Sequence, residues 1–181
     1  MAVLHIDVCD GSYYTEYFDE SAVCNISMTE NVIEIVGNKD YLILLARQMI
    51  YFASNDFCLP YGSHIHYDIF KHSGYRGLEL ILEVIRAPKQ GIILDANDTI
   101  QVEIDVPEHA EDLYKYWADS CKVFVKCDAD SVHLLGNSNG LRFIAAGLLF
   151  LVTKGESGNS FACTNQLLKE WDGISIKFVH M

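Results

Sequence analysis

Residues 22–28 and 32–36 alternate apolar and polar side chains on either side of Thr29-Glu30-Asn31, a spacing that predicts a hairpin of two half-buried strands. From residue 40 to 53 the period lengthens: Tyr41, Leu44, Leu45, Met49 and Phe52 recur at helical intervals. Gly37 stops the second strand, and Asn38 stands where a side-chain oxygen can cap the helix by accepting an early backbone N–H. Alternation returns over 64–69 and 78–85 and predicts a second strand pair. Further on, the same succession is expected as strands at 123–126 and 132–135, a helix at 140–152, and strands at 160–164 and 174–179.

Both helices are too apolar for a surface position. Between residues 41 and 53 only Arg47, Gln48 and Tyr51 offer a polar side, and between 140 and 152 only Arg142 does. A helix lying on one sheet shows a wider polar stripe than this. These helices are therefore expected to be covered twice, by a sheet and by either the other helix or an oligomeric partner.

The succession of elements has a counterpart in residue identities. Gly37-Asn38 falls on Gly136-Asn137 at an offset of 136 − 37 = 99, with Leu42 on Leu141 and Ala46 on Ala145. Near the N-terminus Ile6-Asp7-Val8 matches Ile104-Asp105-Val106. Downstream, Gly77-Leu78-Glu79-Leu80 matches Gly173-Ile174-Ser175-Ile176 at an offset of 173 − 77 = 96. The colinear series predicts an α+β fold made of tandem-duplicated strand-strand-helix-strand-strand modules with antiparallel sheets. Residues 1–90 would form the first module and 91–181 a second, degenerate one, able to pack as one domain, with the Pro/Gly/Asn-containing stretch 87–97 as their joint.

Charge narrows the choice of partner. Lys and Arg number 13 against 25 Asp and Glu, a net charge of −12, which repels nucleic-acid phosphates and anionic lipid. The opening residues have no basic region ahead of an apolar stretch, so no signal peptide is expected. No apolar run approaches the length of a bilayer span. Six cysteines are scattered without a CxxC pair, which favours reduced, buried thiols over disulfides or a zinc cage, and a cytoplasmic location.

Chemistry-bearing side chains gather at one place. On a strand, His64, His66 and Asp68 share a face, and two imidazoles with a carboxylate are ligand types for zinc or non-haem iron. Three such residues spread over about 6–7 Å per step, too far for one ion without a further ligand. The equivalent positions of the second half are Ser160, Ala162 and Thr164. A solvent-facing or partner-contact strand is the expectation; no metal, cofactor or catalytic residue is assigned. No nucleophile elbow, Walker lysine or dinucleotide fingerprint is present. Acids instead form two blocks, interleaved with aromatics. Asp7, Glu16, Tyr17, Asp19 and Glu20 lie in the first, and Glu108, Glu111, Asp112 and Tyr116 in the second. Together with His64, His66 and Asp68 they are the candidate partner-binding residues: carboxylates to steer a basic protein and aromatics to anchor it.

The order of an apolar strand (Ile33, Ile35), Gly37-Asn38, a helix with Leu42 and Ala46, then Gly62-Ser63-His64, His66, Asp68 and a strand with Glu79-Leu80 resembles the immunity protein 32 family of bacterial polymorphic-toxin systems. The resemblance implies a cytoplasmic protein that binds and silences one cognate toxin and does no chemistry itself. Two alternatives stay open: a small metal-dependent enzyme using His64, His66 and Asp68, and a structural subunit that forms a homo-oligomer through its apolar helices.

Overall fold

Glu30 takes a left-handed backbone, φ 54°, and turns strand β2 (Cys24–Thr29) back onto β3 (Val32–Gly37) as the alternation predicts. The computed structural model describes residues 2–9, 21–54, 64–67, 74–84, 99–109, 111–113, 121–164 and 170–181. Before this hairpin runs β1 (Ala2–Cys9); after it come helix α1 (Lys39–Ala53) and strands β4 (His64–Tyr67), β5 (Tyr75–Gly77) and β6 (Glu79–Val84). The second half adds β7 (Thr99–Val106), β8 (Lys122–Cys127), β9 (Ser131–Gly136), helix α2 (Ser138–Lys154), β10 (Ser160–Cys163), β11 (Glu170–Gly173) and β12 (Ser175–His180). The fold is α+β, and each half reads strand-strand-strand-helix-strand-strand-strand among the described residues. β1, β7 and the short β5 and β11 extend the simpler succession expected from periodicity. The stretch 87–97 lies outside the described residues.

Both helices are capped alike. Asn38 Oδ1 accepts from Tyr41 N–H at 3.0 Å and Asn137 Oδ1 from Gly140 N–H at 2.8 Å, each satisfying a donor that the first helical turn leaves open.

The sheets correct the antiparallel expectation. One five-stranded sheet has the order β10-β12-β3-β2-β5 and the other β11-β8-β9-β6-β4. Both are mixed, because β12 joins β3, β5 joins β2, β6 joins β9 and β11 joins β8 in parallel. Each sheet thus draws strands from both halves, and the strand order runs across the 90/91 boundary. Their registers coincide residue by residue: Asn25↔Val36↔Val179 in the first becomes Phe124↔Leu135↔Glu83 in the second (124 − 25 = 99; 179 − 83 = 96).

Two corners produce this exchange. β5 belongs to the first sheet and β6 to the second, with only Leu78 between them. Gly77 takes φ 85°, and a Cβ there would meet Ile26 carbonyl oxygen at 1.9 Å, so only glycine lets the chain turn this close to β2. Leu78 N–H then donates to Ile26 O at 2.9 Å, and Tyr75 Oη donates to Leu78 O at 2.7 Å. At the other corner β11 hands over to β12 across Ile174, whose N–H donates to Val125 O at 3.3 Å. Strands that switch sheets in this way form the corners of packed β-sheets.

The two helices pack on each other, and each touches strands of both sheets. An antiparallel β1–β7 pair closes a further side, with Leu4, Ile6, Val102 and Ile104 toward the helices. This double covering accounts for the narrow polar faces. Leu42, Leu45 and Met49 of α1 and Leu141, Ile144 and Leu148 of α2 are fully buried, each contributing on the order of 1.5–3 kcal/mol by leaving water. Gln48, expected on the polar side of α1, is also fully buried. Within the chain, the two helices bury most of their apolar faces against each other and the sheets, the first of the two covers expected.

Candidate functional site

With inner residues such as Ile33, Ile35, Leu80, Leu82, Val132 and Leu134 turned to the helices, alternation turns their neighbours outward. The two outward faces differ. The first sheet presents Asn25, Ser27, Val32, Val36, Val179, Ala162 and Ser160, with one ion pair among the described residues, Lys177 Nζ to Glu34 Oε1 at 2.9 Å. The second presents a bulkier set, set out in rows by its register: Phe124–Leu135–Glu83–His64, then Lys126–His133–Ile81–His66. Phe124 and Leu135 are half-buried, and Ile81 is 9% exposed although it lies outside the cluster packed around the helices.

His64 and His66 share this face as predicted, with Ile65 turned to the core. Their rings meet edge-on at 5.0 Å. His66 Nδ1 lies 2.6 Å from Glu79 Oε1, close enough for an Nδ1–H to donate a hydrogen bond to that carboxylate from β6. His133 Nε2 sits 3.3 Å from Ser131 Oγ and 3.4 Å from Asp128 Oδ2. Among the described residues no three His, Cys, Asp or Glu side chains converge as a metal ion requires.

The acidic–aromatic candidates are placed only in part. Asp7 pairs with Gln101 across β1 and β7. Glu108 and Glu111 are exposed and Asp112 half-buried after β7, with Asp112 N–H donating to His109 O at 3.0 Å. Glu16, Tyr17, Asp19, Glu20, Asp68 and Tyr116 lie outside the described residues. Phe124, Ile81, Leu135, Glu83 and His133 went unnoticed in the sequence. Their signal is a continuous apolar run: Val123-Phe124-Val125, and Leu80-Ile81-Leu82, which breaks the alternation expected over 78–85, as strands covered on both faces do.

Burial sets the reactivity of three of the described cysteines. Burial raises the Cys24 and Cys121 thiols from 9.0 to about 12, and Cys163 well above its ordinary value. Cys24, Cys121 and Cys163 are free and buried, and they stay protonated and unreactive at neutral pH. An apolar patch edged by histidines and carboxylates is suited to holding another molecule.

The arrangement is that of an α+β protein with one elaborated sheet face. The family model for immunity protein 32 matches residues 32–83, from the first residue of β3 through α1, β4 and β5 to Glu83 of β6, the same family that the motifs resemble. The match therefore includes His64, His66, Glu79, Ile81 and Glu83 of the second sheet's outer face. No curated protein and no solved structure matches the chain. Among the described residues no helix is long and apolar enough to cross a membrane.

Proposed function

We propose that this chain is a non-enzymatic cytoplasmic immunity protein that binds one cognate bacterial toxin, a basic protein, and silences it. The family match over residues 32–83 carries the reading. A net charge of −12 supports the choice of a cationic partner, because a field of that sign raises encounter rates by a decade or more at low salt. The acidic segments 7–20 and 103–117 are assigned to that steering.

The test is co-expression with the protein encoded beside this chain's gene. Cells producing that protein should die, survive when this chain is also made, and yield a complex of the two on purification. Survival without a complex, or no survival, rejects the reading. Association should slow with added salt and with Asp19→Lys plus Glu20→Lys; indifference to both would reject the steering role of the acidic segments.

A further inference from the structure

The two sheets share one register, so each serves as a control for what the other requires. The first sheet is built with Asn25, Val36, Lys177 and Glu34 outward. At the equivalent places the second carries Phe124, Leu135, Ile81 and His133. Pairing geometry alone does not call for bulky groups there, since the first sheet makes the same pairings without them. Phe124 and Leu135 are half-buried and Ile81 is 9% exposed, so what they leave open is a small apolar patch turned away from the helices, of the kind a partner's side chains bury further.

The same face also carries charge that asks for a partner. Glu79 and Glu83 flank Ile81 along β6; Glu79 is occupied by His66, whereas half-buried Glu83 makes no ion pair among the described residues. A carboxylate beside an apolar patch is best met by a Lys or Arg brought in from outside. We propose that the outer face of β8, β9, β6 and β4 is the docking surface for the basic toxin, with Phe124, Leu135 and Ile81 as its apolar centre and Glu83 opposite a cation of the toxin. This rests on the toxin-binding reading and adds to it the surface used.

The first sheet supplies the variant that tests this. Phe124→Asn, Leu135→Val, Ile81→Lys and His133→Glu together transplant its outer face, including the Lys177–Glu34 pair, and leave the net charge unchanged. The transplant alone should unfold within about 4 °C of the wild type. Its affinity for the protein encoded beside the gene should fall about 100-fold or more, Glu83→Lys alone should lower it about 10-fold, and Asn25→Ala on the first sheet should leave it unchanged.

A transplant that fails to fold would place the bulky groups in the chain's own packing and overturn the proposal. So would a folded transplant that binds within about threefold of wild type. A wild-type dimer that the transplant converts to monomer would assign the face to a second copy instead. Wild-type chain that leaves the neighbouring protein unbound would reject the toxin reading itself, a result distinct from binding that persists in the transplant.

Discussion

Asn38 and Asn137 do the same work at the two helix starts. Asn38 Oδ1 accepts from Tyr41 N–H and from Val23 N–H, both at 3.0 Å; Asn137 Oδ1 accepts from Gly140 N–H at 2.8 Å and from Lys122 N–H at 3.0 Å. Each asparagine therefore caps a helix and holds the residue that begins, or leads into, the first strand of the preceding hairpin. Their own N–H groups return a bond to Val23 O and Lys122 O, both at 3.0 Å.

Replacing either asparagine by alanine should cost about 1–2 kcal/mol, at the upper end of a lost cap because a strand contact goes with it. The double variant should lose the sum of the two, since the sites share no partner. Urea unfolding checks both; a loss near zero for either would show that neither its cap nor its strand contact stabilises the fold.

Gly77→Ala should be far more damaging than its size suggests. A positive φ costs an L-residue about 1–3 kcal/mol, and here the new methyl also meets a backbone oxygen, which cannot swing away as a side chain could. At Gly158, which has φ 92° and open space around it, alanine should incur the conformational cost alone. Comparing the two unfolding midpoints separates strain from collision.

We propose that the halves are tandem copies that need each other. Fragments 1–90 and 91–181 should each be unfolded alone, because β3 would lack β12 and β6 would lack β9. Mixed or co-expressed, they should form a one-to-one complex with the helical circular dichroism of the intact chain. A fragment that folds by itself would refute this interdependence.

Stability should decline in alkali. In the unfolded chain the thiols ionise near 9.0, whereas folded Cys24 and Cys121 hold their protons to about 12. Above pH 9 the unfolded state therefore binds fewer protons than the folded one, and the stability present below pH 9 is lost as pH rises toward 12. At about 1.4 kcal/mol per pKa unit, the loss amounts to at most a few kcal/mol per thiol. Urea midpoints from pH 8 to 11 should fall, and less steeply in Cys24→Ala. A flat profile would mean these thiols are reached by water.

Much of the local structure was legible because it depends on near neighbours. The hairpin at Glu30, the cap at Asn38 and the extent of α1 all follow from contacts within a few residues. His64 and His66 were placed on one face by the two-residue period of a strand, and they lie there. Glu79 could not be named as the partner of His66, because their contact spans two strands whose register no local pattern specifies. Gln48 was misjudged for a similar reason: its polarity suggested water, while the layer above it comes from distant parts of the chain.

By itself the sequence determined both helices and most of the strands around them, though not β1, β5, β7 or β11, together with the need of both helices for cover on two sides and the likeness of the halves in residue type. Only the tertiary structure decided that β12 sits beside β3 and β6 beside β9, and that Phe124, Leu135 and Ile81 share a face with the two histidines. Periodicity encodes which side of a strand is apolar, over a handful of residues. Which strand lies alongside is settled by the packing of the whole chain around its two helices, and by the Gly77 corner that carries one strand from the first sheet into the second.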